Sequence, residues 1–348
     1  MILATFRYAT GDIAIGAVQR AGHLVLDLKR ACAAAGVPDR GRYDSMLAMI
    51  EAGEGALEQA QKLAQTVTRT GDAIVPLSEV RLLSPLPVPS QIRDFTTAEL
   101  HAQQAGAAIA RLRAQRLAVP PPPPETIKVP EVLRHQPIYY KGNRFSVIGH
   151  EADVVWPSYS KQLDYELEFG VFLSRRGVNI PLQEAGQYIF GYSIFNDFSA
   201  RDAQEIEMSG PLGPAKGKDF DSGNAIGPWI VTPDEIGDPR RLTMVARVNG
   251  EQWSRNNSAC LLYGFEELIA FVSRDETLYP GEFFGSGTVG NGCGLELDRW
   301  LKPGDVVELE VENIGILRNR VGLGSSPAAA PDRRRHPGGD PFCRQRSL

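Results

Sequence analysis

The sequence predicts a mixed, β-rich α+β fold, in which a small N-terminal β/α domain precedes a larger, mostly β domain. Short apolar segments of strand length recur between residues 138 and 311, and glycine, proline and asparagine separate them. Apolar residues follow helical spacing in three stretches, at 44–67, 94–117 and 261–273. The 348 residues are enough for one large domain or two smaller ones with a sizeable core.

The small N-terminal domain is predicted over residues 1–84. Alternation of apolar and polar residues predicts a strand over Ile2–Arg7, and further strands follow over Ile13–Val18 and Leu24–Leu28. The segment 44–67 is rich in alanine, leucine and glutamine and is predicted to be helical. The turn-rich stretch PLSEVRLLSPLPVPSQ then favours a boundary near residue 85.

The larger domain is predicted over residues 85–321. It begins with a helix over 94–117, which starts at Asp94, and the run PPPPPETIKVPE from Pro120 is a stiff connector that cannot be helical. A second helix is predicted over Leu261–Ser273. The predicted strands are Ile138–Tyr140, Asp153–Trp156, Glu166–Leu173, Gly191–Asn196, Trp229–Thr232, Thr243–Val248, Phe283–Gly285 and Val306–Val311. Residues 322–348 are rich in proline, glycine, alanine and arginine, which is typical of a disordered tail.

Composition and charge exclude several classes of function. The net charge of −5 gives no electrostatic reason to expect nucleic acid, and no apolar run reaches the ~18–20 residues of a membrane span. The N-terminus lacks the basic and apolar regions of a secretory signal. The four cysteines form no CxxC pair, which argues against a zinc site and favours free thiols in the cytoplasm. They are Cys32, Cys260, Cys293 and Cys343.

Four carboxylates in strand-like surroundings are the main functional signal. They are Asp94, Glu166, Glu168 and Asp197. An unpaired carboxylate is costly to bury, so such acids need a cation or a proton. Several oxygen donors that converge on one point are what a hard divalent ion such as Mg²⁺ or Ca²⁺ prefers. We therefore expect a metal-dependent enzyme.

Glu166 and Glu168 stand two residues apart, so a strand would direct both to the same face. Two carboxylates held that close repel each other unless a positive charge lies between them. A half-exposed strand with a polar face is the alternative explanation for the pair taken alone. The polar segment NDFSARDAQ at 196–204, GKDF at 217–220 and the glycine-rich GSGTVG at 285–290 favour a functional site. The last of these lacks the GK[ST] of a P-loop, and its glycines would let the backbone approach a ligand or metal site closely.

Taken together, the motifs D-Y-E-x-E, N-D-F-S-A-R-D-x-Q, G-K-x-F, G-P-W-I-V and G-S-G-T resemble the fumarylacetoacetate hydrolase family over roughly residues 85–321. The resemblance implies a rolled, mixed-sheet catalytic domain behind a smaller N-terminal domain. It also implies a homodimer and a site for Mg²⁺, with Ca²⁺ or Mn²⁺ as alternatives.

Residue by residue, the resemblance makes Asp94, Glu166, Glu168 and Asp197 the metal ligands. His101 follows Asp94 by seven residues, as in the hydrolase-like branch of the family, and Glu296 matches the acid that orients the catalytic histidine. The positions that match substrate-facing groups are Tyr140, Arg201, Gln204, Lys218 and Thr288.

The chain also departs from the family pattern. One extra residue lies between Asp197 and Lys218, and Met208 replaces a substrate-contacting tyrosine. Asn143 stands where the family has a basic residue, and the loop from Thr288 to Glu296 is shorter. These departures concern the substrate more than the chemistry.

The resemblance implies hydrolysis of a C–C bond in a β-diketo acid or acylpyruvate, as in the breakdown of aromatic compounds. A metal would hold the departing carbanion as an enolate, and His101 would activate water, since histidine is the side chain best suited to a general base near neutral pH. Arg201, Gln204 and Lys218 would stabilise the oxyanion.

Two other readings stay open. A relative could decarboxylate, isomerise or hydrate a 2-oxo acid on the same metal-enolate platform, and a non-catalytic member could retain only the fold. The full set of Asp94, His101, Glu166, Glu168 and Asp197 argues against the last. Taken singly, His101 could be an exposed helical histidine and Lys218 a surface lysine.

Overall fold

The computed structural model describes residues 1–66, 72–210 and 212–322. Apart from Gly322, the predicted tail 322–348 lies outside the described residues, and Cys343 with it. Within the described ranges the chain is a mixed, β-rich α+β protein, so the predicted fold class is confirmed.

The described residues form nineteen strands. They are β1 Ile2–Tyr8, β2 Ile13–Gln19, β3 Leu24–Asp27, β4 Ile74–Pro76, β5 Val80–Leu82, β6 Ile92–Thr96, β7 Ile138–Gly142, β8 Val147–Ile148, β9 Asp153–Val154, β10 Leu163–Asp164, β11 Glu168–Leu173, β12 Ile189–Asp197, β13 Ser199–Ala200, β14 Asn224–Val231, β15 Thr243–Val248, β16 Glu251–Asn257, β17 Phe283–Gly285, β18 Val306–Val311 and β19 Gly315–Val321.

Ten α-helices accompany the strands in the same part of the chain. They are α1 Leu28–Ala34, α2 Met46–Glu51, α3 Glu54–Thr66, α4 Glu99–Leu117, α5 Val132–His135, α6 Leu182–Ala185, α7 Arg201–Glu207, α8 Pro233–Ile236, α9 Phe265–Val272 and α10 Gly294–Leu297. Single 3₁₀ turns lie at Arg20–Gly22, Leu77–Glu79, Pro124–Thr126, Gly186–Tyr188 and Ser258–Cys260. Among the described helices, none has both the length and the apolar character needed to cross a bilayer.

The largest sheet of the described residues is mixed and has twelve strands. Its order is β4-β3-β2-β1-β14-β12-β11-β17-β6-β7, while β5 pairs with β1 and β8 pairs with β14. A five-stranded sheet, β16-β15-β18-β19-β9, and the pair β10-β13 complete the described strands. The first strand joins the large sheet directly, because Ile2 and Leu3 pair with Val231 and Ile230 of β14. The division of the chain at residue 84 stays a prediction.

The centre of the large sheet consists of strands that are buried along their whole length. Every residue of β11 and β12 is buried, which explains their near-continuous apolar sequences. Phe169 on β11 packs edge-to-face against Phe265 of α9, with 5.1 Å between the ring centroids. Their charged residues, Glu168 at the start of β11 and Asp197 at the end of β12, stand at the ends of the strands, and the candidate site lies there.

The predicted helix over 94–117 was wrong at its start. Residues Ile92–Thr96 form strand β6, and the helix α4 begins at Glu99. The cause is pairing with a distant strand, since Asp94 lies opposite Gly285 of β17 in a parallel ladder. Tertiary pairing of this kind overrides local propensity. Asp94 therefore projects from a rigid sheet.

Candidate metal centre and active site

The four predicted metal ligands come together in one buried cluster. One oxygen from each of Asp94, Glu166, Glu168 and Asp197 lies within 4.8 Å of the others. All four residues are buried. Asp94 comes from β6, Glu168 from the start of β11 and Asp197 from the end of β12, while Glu166 precedes β11 in an isolated bridge to Cys293.

Gly285 makes room for this cluster. It lies on β17, between Asp94 of β6 and Gly170 of β11 in the sheet. A Cβ at residue 285 would lie only 2.4 Å from Oδ1 of Asp94. Its lack of a side chain therefore allows the Asp94 carboxylate to point into the cluster, in agreement with the role predicted for the glycine-rich loop.

Two cations contact one side of the cluster. The Nζ of Lys218 lies 2.6 Å from Oε2 of Glu166 and 2.6 Å from Oδ2 of Asp197. The Nη2 of Arg201 lies 2.8 Å from Oε1 of Glu166. Burial alone would raise the pKa of Glu166, but the charges of Lys218, Arg201 and His101 outweigh it and hold that pKa below its ordinary value. Glu166 is therefore ionised at neutral pH.

Asp94 and Glu168 form no ion pair with any cation of the described residues, and the pKa values of both are raised. Burial, followed by the charge of Asp197, raises the pKa of Asp94 to about 8. Burial, followed by the charge of Asp94, raises the pKa of Glu168 well above its ordinary value. Without a further cation, these carboxyl groups therefore hold protons at neutral pH.

The chemistry of the cluster fits a divalent cation. Its donors are all carboxylate oxygens, the type that Mg²⁺, Ca²⁺ and Mn²⁺ prefer. Oδ1 of Asp94 and Oδ1 of Asp197 are buried and have no hydrogen-bond partner among the described residues. Such orphaned buried acceptors are costly, and a cation between them would satisfy both. A divalent ion would also replace the protons that Asp94 and Glu168 retain.

The raised pKa values predict a pH dependence of stability in the metal-free protein. Unfolded Asp94 loses its proton near its ordinary pKa, whereas the folded protein keeps it up to about pH 8. Its stabilising contribution is therefore complete at low pH and disappears as the pH rises through this interval. We expect the melting temperature in EDTA to fall between pH 5 and pH 9. Scanning calorimetry at fixed ionic strength measures it.

Two controls separate this effect from other titrations. Asp94→Asn cannot lose the proton and should give a flatter profile. Saturating Mg²⁺ should also flatten the profile, and at 100 times the dissociation constant it adds about 2.7 kcal/mol of stability. A wild-type melting temperature that rises with pH in EDTA over this range would contradict the assigned direction.

His101 and Glu296 form a second pair beside the cluster. His101 lies in the first turn of α4, and its Nδ1 is 3.3 Å from Oε1 of Glu296, a contact that does not have the geometry of a regular hydrogen bond. The His101 side chain is 12% exposed, whereas that of Glu296 is fully buried. Cys293, the N-cap residue that precedes α10, bridges to the backbone of Glu166, so this pair and the carboxylate cluster adjoin.

Backbone donors hold Glu296 in place. Its Oε1 accepts a hydrogen bond from the amide of Asn291, and its Oε2 accepts one from the amide of Cys293, each at 3.1 Å. The side chain of Gln104 on α4 donates to Oδ1 of Asn291 at 2.8 Å. The helix that carries His101 is thus bonded to the loop that holds its partner.

Of the remaining predicted site residues, Tyr140 and Thr288 contact the cluster directly, and Gln204 is bonded to it through Arg201. The hydroxyl of Tyr140 donates to Oδ2 of Asp197 at 2.5 Å, and that of Thr288 donates to Oε1 of Glu168 at 3.0 Å. Arg201 donates through Nη1 to Oε1 of Gln204 at 2.9 Å. The sequence prediction directed Tyr140, Thr288 and Arg201 towards substrate. Within the described residues, each contacts a carboxylate of the cluster.

Two residues of this site were not singled out from the sequence. The side chain of Asn196 accepts a hydrogen bond from the amide of Glu166 at 3.0 Å. Asp164 is completely buried and bonded to Arg201. Asp164 stands two residues before Glu166 in the D-Y-E-x-E motif, and this same-face spacing is the signal that could have identified it.

Comparison with known proteins shows the family to which this chain belongs. The family model for the C-terminal domain of fumarylacetoacetate hydrolase matches residues 95–322. The mitochondrial oxaloacetate tautomerase of Rattus norvegicus is 30% identical over 295 residues, which cover 82% of this chain and 84% of the rat protein.

Solved structures share the fold. The fumarylacetoacetate hydrolase of Exiguobacterium antarcticum is 25% identical, with a TM-score of 0.68 over 93% of this chain and 99% of the other. A maleylpyruvate hydrolase from a Sphingobium species, solved with manganese and pyruvate, is 22% identical, with a TM-score of 0.67 over 93% and 100%. At that identity the second likeness concerns the fold alone. The family match and the extended similarity to the rat enzyme place this chain in the fumarylacetoacetate hydrolase family of enzymes.

Proposed function

We propose that this chain is a metal-dependent hydrolase that cleaves a C–C bond in a β-diketo acid of the acylpyruvate type. The observation that supports this most is the His101–Glu296 pair beside the buried carboxylates, since it combines a general base with a cation site. The reaction consumes one water and yields a carboxylic acid and a 2-oxo acid.

Asp94, Glu166, Glu168 and Asp197 would hold the cation, with Mg²⁺ as the proposed ion and Ca²⁺ or Mn²⁺ as alternatives. When bound, the ion would act as a Lewis acid for the negative charge that develops on the substrate oxygens.

His101 would activate the water. Because its Nδ1 faces Glu296, its Nε2 is the nitrogen available to remove a proton from water. Glu296 would keep the imidazole in this tautomer and stabilise its cationic form, as the acid of a catalytic triad does. The activated water adds to the distal carbonyl carbon, the C–C bond breaks, and His101 returns the proton to the departing carbon.

Lys218 and Gln204 are the proposed oxyanion donors. Arg201 occupies Oε1 of Gln204, which leaves the amide nitrogen of Gln204 as its free donor. Besides its two carboxylate contacts at 2.6 Å, the Nζ of Lys218 makes only a long contact of 3.5 Å with the carbonyl oxygen of Asp197, so its third hydrogen is the one proposed to donate to the oxyanion. Loss of one oxyanion donor typically costs ~10²–10³ in rate. Arg201 would act through Glu166 and Gln204.

A second candidate is keto–enol isomerisation of a 2-oxo acid. It is favoured by the 30% identity to the rat oxaloacetate tautomerase over four-fifths of this chain. That chemistry needs His101 and the cation for proton transfer at carbon but needs no water. Decarboxylation and hydration would use the same platform. A non-catalytic role would leave the five clustered ionisable groups unexplained.

Reaction in ¹⁸O-labelled water distinguishes the two candidates. The purified protein is incubated with acylpyruvates, fumarylacetoacetate and oxaloacetate, with Mg²⁺ or with EDTA. We expect one ¹⁸O in the carboxylic acid product, formed only with Mg²⁺. Exchange of the oxaloacetate C3 protons without any cleavage would instead establish the isomerase. Cleavage that EDTA leaves unchanged would refute the metal-dependent mechanism.

The assembly and location of the chain are also proposals. A homodimer follows from the family resemblance. A cytoplasmic location agrees with the free thiols Cys32, Cys260 and Cys293 in the described residues, although the rat relative is mitochondrial. The partner is a small diketo or oxo acid, and the net charge of −5 favours neither nucleic acid nor a membrane surface.

A further inference from the structure

Asp164 lies between the two halves of the candidate site, which are the carboxylate cluster and the His101–Glu296 pair. It sits on the short strand β10, opposite Ser199 of β13, and is completely buried. It does not belong to the cluster of possible metal ligands. A buried carboxylate needs compensating donors, and those of Asp164 come from both halves of the site.

One group of contacts leads to the metal ligands. The Nε and Nη2 of Arg201 each lie 2.8 Å from Oδ2 of Asp164. The same Nη2 lies 2.8 Å from Oε1 of Glu166. The guanidinium, itself 2% exposed, thus bridges the two carboxylates. Nε donates a hydrogen bond that orients Asp164, whereas Nη2 makes no regular hydrogen bond in the described residues and joins the two carboxylates through its positive charge.

The other group of contacts leads to the partner of His101. Oδ1 of Asp164 accepts a hydrogen bond from the amide of Gly294 at 2.7 Å, and Oδ2 accepts one from Leu295 at 3.0 Å. These are the first two residues of α10, and Glu296 is the third. Asp164 therefore determines where the turn that carries Glu296 begins.

Gly294 fits this contact closely. A Cβ at residue 294 would lie 2.6 Å from Oδ1 of Asp164 and 2.1 Å from the carbonyl oxygen of Arg299. Only glycine therefore lets the α10 backbone approach the carboxylate this closely.

We propose that Asp164 is a positioning residue that couples the metal ligand Glu166 to the histidine partner Glu296. It acts through Arg201 on one side and through the backbone of α10 on the other. The inference rests on the proposed function of the site and adds a residue to which that function assigns no role. Residues of this kind around metal sites typically change metal affinity or activity by 10–100-fold.

The test is a pair of double-mutant cycles. In the first cycle, Asp164→Asn is combined with Arg201→Lys, and the affinity of the metal-free protein for Mn²⁺ is measured by titration calorimetry. In the second cycle, Asp164→Asn is combined with Glu296→Gln, and kcat and KM are measured. Asp27→Asn is the matched control, because Asp27 is also buried, accepts the amide of Arg30 at the start of α1, and pairs with an arginine.

We expect Asp164→Asn to weaken Mn²⁺ binding about 10–100-fold and to lower kcat about 10–100-fold, while KM changes less than about threefold. In the Arg201→Lys background the loss of affinity should shrink, and in the Glu296→Gln background the loss of kcat should shrink. Asp27→Asn should change neither quantity. Fully additive effects, or wild-type affinity and kcat in Asp164→Asn, would overturn the inference.

Hydrogen exchange separates this inference from the proposed function. If the wild type binds no Mn²⁺ or turns over no diketo acid, the proposed function fails. The coupling is then judged by whether Asp164→Asn speeds amide exchange in both 164–168 and 291–297. Unchanged exchange there refutes it. Should Asp164→Asn not fold, Asp164→Glu, which keeps the charge but displaces it, takes its place in every measurement.

Discussion

If the proposed hydrolase mechanism holds, we expect replacement of His101 with asparagine to lower kcat/KM for an acylpyruvate by about 10²–10⁴-fold, the usual contribution of a general base. Asparagine can still accept a hydrogen bond, but it cannot take a proton from water. Since His101 lies outside the carboxylate cluster, the affinity for Mg²⁺ should stay within a few-fold of wild type. Steady-state kinetics and calorimetric titration of the same preparation measure the two quantities.

The matched control for this substitution is His135→Asn. His135 lies at the end of α5, and its side chain is 69% exposed. Its partner Glu131 is also exposed, at 84%. That substitution should leave both quantities unchanged. Full turnover in His101→Asn, together with loss of turnover in Glu168→Ala, would disprove water activation by His101 and leave the metal site intact.

Asp94→Asn should have the second large effect. It should weaken metal binding and activity, but it should stabilise the metal-free protein. The substitution removes one anionic ligand, so we expect Mg²⁺ affinity to fall by more than the ~10–100-fold typical of outer-shell changes. Activity should fall with it. The amide keeps the shape of the carboxylate and therefore fits beside Gly285.

The metal-free protein should become more stable. Burial and the charge of Asp197 raise the pKa of Asp94 to about 8, so ionised Asp94 is disfavoured in the fold. Asparagine removes this charge and can donate to a neighbouring carboxylate. Since one pKa unit corresponds to about 1.4 kcal/mol, we expect a gain of at least about 1 kcal/mol at pH 8. Thermal unfolding in EDTA measures it.

Asp153→Asn is the control for this prediction, because Asp153 is an exposed residue on the short strand β9. It should alter neither Mg²⁺ affinity nor stability. Retention of wild-type Mg²⁺ affinity by Asp94→Asn, or a lower melting temperature in EDTA, would contradict the proposed role of Asp94.

Three strands were predicted to the residue, whereas others, such as Gly191–Asn196 within β12 and Trp229–Thr232 at the end of β14, were predicted with different bounds. Thr243–Val248, Phe283–Gly285 and Val306–Val311 have the bounds that their apolar patterns predict. Polar strands were missed, as the sequence EQWSRNN of β16 illustrates. The start of α4 was predicted five residues too early, because β6 exists through its pairing with β17, almost 190 residues later in the chain.

In the candidate site, too, features set by local sequence were predictable and those set by distant contacts were not. The spacing of Glu166 and Glu168 placed both on one face, and their motifs suggested the cluster that the structure brings together. Asp164 belongs to the same motif, but its position in the motif alone does not predict its contacts. Its main partners, Arg201, Gly294 and Leu295, lie 37 to 131 residues away in sequence.

The sequence by itself determined the fold class, the strand-rich larger part and the set of carboxylates that needs a cation, because these depend on local pattern and residue type. Only the tertiary structure decided which charges meet. Lys218 and Arg201 contact Glu166 and hold its pKa down, whereas Asp94 and Glu168 form no ion pair with the described residues, and burial raises the pKa of both. Electrostatic energy depends on distance and burial, and residues far apart in the chain acquire both only when it folds.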